Sequence, residues 1–220
     1  MSSPLIVFGL GSFVDLVAHH FEAEGGRRVV AQSAHRRFIP AAWTGKRPLV
    51  AFEDLAARFA PAEHEIFIAL EHGGQNAARA EIAATAKASG YRLASFVSPS
   101  ARIAAGVDIG EHCFIMDGVV AQYGVRIGAN NILHANCFFG QGSSAGDHNY
   151  FGAGCFIDRF ARIGGHNVFG SQVRVREYLE VGDWNGIKAF QTLESSLAQP
   201  TLIDAALRAP GFVVDRRKRN

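Results

Sequence analysis

Apolar side chains recur at every sixth position from Val97 to Ile187, through Ile103, Ile109 and Ile115 and on to Phe169, Val175 and Val181. Sixteen consecutive positions in this phase are apolar. In a chain that is 48% hydrophobic, chance gives such a run about once in 10⁵ trials. The next position is often glycine, as at Gly110, Gly128, Gly140 and Gly152. A short strand and a tight corner together take six residues, with the apolar side chain inward and the glycine easing the turn. Three such sides close a triangular coil of about 18 residues. Successive coils stack as parallel strands ~4.8 Å apart, and no coil buries its core alone. The pattern predicts a parallel β-helix over residues 95–192.

An 18-residue step sorts side chains into columns. Cys113, Asn131, Asn149, Asn167 and Asn185 form one, and stacked amides suit such an architecture because each can bond to the next. Cys137 and Cys155 form a second column, read as small inward filler. His112, Asn130, His148, His166 and Trp184 form a third. Its imidazoles are one and two coils apart and make no compact three-ligand set, so no metal is expected.

The first ninety residues follow another rhythm. PLIVF (4–8) reads as a buried strand and Val14 to Glu24 as an amphipathic helix. Arg28 to Gln32 and Glu65 to Leu70 read as further strands, Phe52 to Phe59 as a short helix, and Asn76 to Ser89 as an alanine-rich helix closed by Gly90. Alternating strands and helices predict a small Rossmann-like α/β domain over residues 1–94. Gly9, Gly11 and Ser12 follow the first strand. They either hold a phosphate at a helix N-terminus or only make a tight turn. The third glycine of a dinucleotide fingerprint is Val14, and no acidic residue follows the second strand, which argues against a nicotinamide dinucleotide. His35 and Arg36 come next, to meet an anion or to form a solvated loop. At the other end, residues 193–220 read as a cap: a helix over PTLIDAALR from Pro200 to Arg208, then a basic tail.

Composition narrows the class. A net charge of +2 gives no ground for a nucleic-acid or membrane partner. No apolar run is long enough to span a bilayer, and the first residues lack the charged start and cleavage site of a secretory signal. Three cysteines without a framework fit a reduced, cytoplasmic protein.

A small α/β domain joined to hexapeptide repeats resembles the sugar acyltransferases of the PglD and NeuD type. The likeness runs over residues 4 to 192 and rests on IVFGLGS, Asn76-Ala77-Ala78-Arg79, the bridge GYRLASFVSPSARI and the repeats. The resemblance implies a left-handed β-helix, against the usual crossover hand, and a homotrimer with acetyl-CoA in a groove between neighbouring β-helices. It also implies a nucleotide-linked sugar held by the N-terminal domain, whose amine attacks the thioester with a histidine as base. At the position of that histidine this chain has Gln141, which accepts no proton near neutral pH. Seven residues earlier, where relatives carry asparagine, it has His134. Three accounts stand open. His134 is the relocated base and Gln141 orients the substrate; or no protein base is needed and the site supplies proximity; or catalysis is lost and the trimer only binds or scaffolds. By the same register Tyr150 takes the place of a histidine near the thioester. Arg159, Ser171 and Ala189 fall at other coenzyme-contacting positions, and Lys188 or Arg174 is placed to meet the phosphates.

Overall fold

The computed structural model describes residues 3–204 and the strand at 212–213. They divide into two compact units, residues 1–71 with 78–96 and residues 72–77 with 97–220.

The first unit holds a five-stranded sheet, β1 (Leu5–Phe8), β2 (Val29–Ala34), β3 (Leu49–Ala51), β4 (Glu65–Ile68) and β5 (Arg92–Leu93), in the order β3-β2-β1-β4-β5. Every neighbouring pair is parallel. All four residues of β1 are buried, as expected of a strand covered on both faces. Helix α1 (Ser12–Ala23) buries Phe13, Val14, Val17, Ala18 and Phe21, a stripe at three- and four-residue spacing. It starts at Ser12, two residues before the expected Val14, directly after the open backbone of Gly11. The expected helix over Phe52 to Phe59 is a 3₁₀ turn (Phe52–Asp54) running into one turn of helix, α2 (Leu55–Arg58). Just before it lies β3, whose three residues are too short to carry a period. Helix α3 (Ala77–Ala88) buries Arg79, Ile82, Ala83 and Ala86, and Gly90, at φ 91°, turns the chain into β5.

The second unit is a three-sided parallel β-helix. Its first face stacks strands such as Phe114–Ile115, Ile132–Leu133, Tyr150–Phe151, Val168–Phe169 and Gly186–Ile187. Its second face runs through Phe138–Phe139 and Phe156–Ile157, and its third through Ser144–Ala145 and Arg162–Ile163. The register is 18 residues throughout these ladders: Leu133 pairs with Phe151 and Phe151 with Phe169. The second residue of each strand points inward, and from Ile115 to Ile187 all of these lie in one buried cluster. Ile103 and Ile109 pack against it, whereas Val97, the first of the sixteen, is 41% exposed. The phase persists to Leu193, buried at 4%.

Two expectations need correction. The glycines that follow the inward residue do not make the turns, for none of Gly110, Gly128, Gly140 and Gly152 lies in the left-handed region. They are glycine because coils are stacked so closely: a Cβ on Gly140 would lie 2.6 Å from the Arg159 nitrogen, and one on Gly152 2.6 Å from that of Ser171. The left-handed residue comes two positions later, at Gly142 and Gly154 but also at Asn136, His148, Phe160 and Trp184. Second, the helix expected from Pro200 begins instead as a strand, Thr201–Ile203, parallel to Gly186–Ile187. Leu202 pairs with Gly186 at a step of 16 rather than 18, so a shortened coil continues the first face where helix propensity alone suggested a cap. The remainder of that segment and the basic tail lie outside the described residues. Among the described residues no helix is long and apolar enough to cross a membrane.

The asparagine column is a hydrogen-bonded ladder. The Oδ1 atoms of Asn131, Asn149 and Asn167 accept the main-chain N–H of Asn149, Asn167 and Asn185, each at 2.8 Å. Cys137 and Cys155 are fully buried and donate to the carbonyls of Gly152 and Gly170 at 3.2 and 3.1 Å. Burial, and then the neighbouring Cys155, push the Cys137 thiol up, which keeps it protonated and inert.

Candidate active site

Each coil turns three corners. At the corner between first and second faces, the 18-residue register places His134, Gly152, Gly170 and Lys188 in one column, with Ala135, Ala153, Ser171 and Ala189 beside them. The three steps from His134 to Lys188 rise about 14 Å. The result is a track with an imidazole at one end, an ammonium at the other, and a floor of small residues. Gly152 and Gly170 are side-chain-free because the next coil leaves no room, so a packing constraint clears the floor. Gly170, Lys188 and Ala189 also line a groove of about 400 Å³ on the outer side of the first face, opposite His72, Gly73, Gly74 and Gln75.

His134 is half-buried at the head of the track, and its main-chain N–H donates to the Phe151 carbonyl at 2.9 Å. The Tyr150 ring lies beside it, centroids 5.0 Å apart. Tyr150 also meets His72, centroids 4.6 Å apart and planes tilted by 46°. His72 was not singled out from the sequence, because it lies 78 residues before Tyr150, in no repeat and no motif.

Gln141 and Arg159 lie elsewhere. They form one column on the corner between second and third faces. Gln141 is exposed, and its main-chain N–H donates to Gln122 Oε1 at 3.0 Å. Arg159 is paired with Glu177, which raises the guanidinium pKa further. The sequence-named residues therefore split: His134, Tyr150, Ser171, Lys188 and Ala189 converge on one edge, while Gln141 and Arg159 share another.

In the first unit, Gly9, Gly11 and Ser12 surround the C-terminal end of β1. Gly9 is required by packing, since a Cβ would meet the Ala69 carbonyl oxygen at 2.6 Å. Gly11, at φ 95°, has nothing within 4 Å of where a Cβ would stand, and Ser12 opens α1 exposed. This is an open helix start of the kind that receives anions. His35 Nδ1 lies 3.0 Å from Glu53 Oε1, the Arg36 main-chain N–H donates to Glu53 Oε2 at 3.1 Å, and the Arg36 guanidinium donates to Asp54 at 2.6 Å. The acidic group that the second strand lacks thus arrives from the end of β3. The Glu53 carboxyl is held below the usual carboxylate range, first by its own main-chain N–H and then by His35.

The stacked coils define the class: a hexapeptide-repeat protein whose parallel sheets fit a left-handed β-helix. The bacterial transferase hexapeptide family (six repeats) matches residues 106–141. Among solved structures, a mutant of perosamine N-acetyltransferase from Caulobacter crescentus, in complex with CoA and GDP-perosamine, is similar at 20% identity and TM-score 0.83, covering 96% of each chain. The acetyltransferase domain of PglB from Neisseria gonorrhoeae, in complex with acetyl coenzyme A, is similar at 19% identity and TM-score 0.80, covering 97% of this chain and 100% of that one. WeeI from Acinetobacter baumannii is similar at 15% identity and TM-score 0.79, over 97% and 100% of the two chains. At these identities the likeness is one of fold. No curated protein matches the chain.

Proposed function

We propose that the protein transfers an acetyl group from acetyl-CoA to an amino group of a nucleotide-linked sugar. The observation that carries this reading is the track from His134 to Lys188, with Tyr150 at its head. Its length suits an extended pantetheine arm. Lys188 would face the coenzyme phosphates, Ser171 and Ala189 would flank the arm, and the thioester would lie by Tyr150 and His134. The substrate amine attacks the thioester carbon, the carbon–sulfur bond breaks, and His134 takes the amine proton and passes it to the departing thiolate. The same fold in a CoA- and GDP-perosamine-bound acetyltransferase supports the reading.

The first unit, over residues 1–94, is read as Rossmann-like and as the holder of the nucleotide, with phosphates at Gly11 and Ser12 and His35 and Arg36 nearby. Residues 95–192 form the catalytic β-helix, which the strand at Thr201–Ile203 extends by a shortened coil. Gln141 and Arg159 reach the reaction in a homotrimer, where the edge of one copy bearing them faces the His134 edge of the next. Buried, reduced thiols suit a cytoplasmic enzyme.

Calorimetry with acetyl-CoA tests the reading first, followed by release of free CoA with a panel of UDP- and GDP-linked amino sugars. Binding and sugar-dependent release are expected. No binding at millimolar acetyl-CoA would leave a scaffolding trimer as the better account.

A further inference from the structure

We infer that His72 is a positioning residue of the transfer site, acting on His134 through Tyr150. The inference rests on reading His134 as the base.

Tyr150 stands on the outer side of the first face, between Ile132 and Val168 in register. A tyrosine so placed has more than one staggered position open to it. Here its ring packs against two imidazoles, His134 at 5.0 Å and His72 at 4.6 Å between centroids. With His72 in place Tyr150 stays against the imidazole of His134 and limits the orientations of that ring. Without it Tyr150 loses one of its two ring contacts.

The backbone that delivers His72 is strained. Gly74, Gln75 and Asn76 lie in succession in the left-handed region, at φ 61°, 52° and 65°. Residues other than glycine visit this region singly, not in runs. Three hydrogen bonds hold the turn: Gln75 Nε2 donates to the Trp184 carbonyl at 2.6 Å, His166 Nδ1 to the Gln75 carbonyl at 3.3 Å, and Asn76 Nδ2 to the Asn167 carbonyl at 3.2 Å. Strain persists where surroundings over-determine it, and it gathers at functional sites. Packing does not explain the neighbouring glycines either, for a Cβ on Gly73 or Gly74 would meet nothing within 4 Å. The turn sets an exposed imidazole at the head of a groove and keeps the approach clear.

The test uses the full chain with His72→Ala, His72→Gln, His72→Phe and His134→Ala. Two quantities are read: the His134 ring-proton chemical shift, which the Tyr150 ring current displaces, and the steady-state kinetics with acetyl-CoA and whichever panel sugar turns over. His72→Ala and His72→Gln should each move the His134 signal and lower kcat about tenfold, with KM for acetyl-CoA changed by less than about twofold. His72→Phe keeps a ring against Tyr150 and should retain both the signal and at least about half the rate. Added to His134→Ala, the His72→Ala change should cost nothing further. An unmoved His134 signal in His72→Ala and His72→Gln, or a full further loss in the His134→Ala background, overturns the inference. A full rate in His134→Ala alone removes the base assignment instead, and the chemical shift then still decides whether His72 orders the pair.

Discussion

Asn149 Oδ1 accepts the main-chain N–H of Asn167, one coil further on, at 2.8 Å, and both residues are fully buried. The same Asn149 amide donates to the carbonyls of Gly146 and Gly164 at 3.0 and 2.9 Å. One side chain thus satisfies three main-chain groups where the coils turn away from water, and no main-chain ladder reaches them there. Asn149→Ala leaves the Asn167 N–H and the Gly164 carbonyl without this partner, whereas the Gly146 carbonyl keeps the Asn131 amide at 2.9 Å. Each buried orphan costs about 1–3 kcal/mol, so a loss of at least about 2 kcal/mol is expected, a fall of roughly 4–8 °C in thermal midpoint for a chain of this size. Asn149→Asp should fare no better, since a carboxylate accepts but cannot donate. Thermal unfolding of both variants checks this, and a change of under about 1 °C would remove the ladder from the list of what holds the coils together.

Gly152 gives a second expectation, and it separates packing from turn-making. Its backbone is not left-handed, and a Cβ would lie 2.6 Å from the Ser171 nitrogen. Gly152→Ala must therefore push two coils apart, costing about 1–3 kcal/mol. It also narrows the track midway between His134 and Lys188, so KM for acetyl-CoA should rise by about tenfold or more. A variant of native stability and native KM would show that the coils are not as tightly apposed as described.

Much of this was legible in the sequence, and the reason is physical. A stacked coil repeats its environment every 18 residues, so the inward phase, the asparagine ladder and the cysteine filler all leave periodic marks. Features without a period did not. β3 is three residues long, and missing it hid the fact that Glu53 stands beside His35 and Arg36. The strand at Thr201–Ile203 was masked by residues that favour a helix in isolation, because pairing with Gly186–Ile187 overrides that preference. His72 belongs to no repeat and reaches Tyr150 only through a left-handed turn that its neighbours do not announce. The glycines were found but misread: their frequency is a sequence fact, whereas their reason, contact with the following coil, is a three-dimensional one.

Glu53 carries a pH expectation. Its folded pKa lies below the unfolded one, so its contribution to stability is present above the ordinary glutamate range and is lost as pH falls through the lowered value. Glu53→Gln has no such proton to gain. Between about pH 5 and pH 3 the native chain should lose slightly more thermal stability than the variant, by about 1–2 °C or less, because the Glu53 side chain is well exposed and the interaction is screened. Parallel melting curves across that range check the sign, and a variant that declines more steeply than the native chain would contradict it.

The separation of His134 and Gln141 onto different edges of one chain leads to a complementation experiment. If the transfer site forms where one copy's His134 edge meets the next copy's Gln141 edge, every site draws on two chains. His134→Ala and Gln141→Ala homo-oligomers should each be impaired, the first by about 10²-fold or more for a lost general base. When equal amounts are co-expressed, a site is intact only if the copy supplying the histidine edge is a Gln141 variant and its neighbour is a His134 variant. Random mixing in a closed ring gives about one site in four that combination, so activity should recover to about a quarter of native. A site built within one chain gains nothing from mixing, because every chain carries one of the two defects. Recovery near a quarter therefore supports both the assembly and the two-edge site. Two impaired homo-oligomers whose mixture stays at their average would rule out a site formed between the His134 edge of one copy and the Gln141 edge of the next.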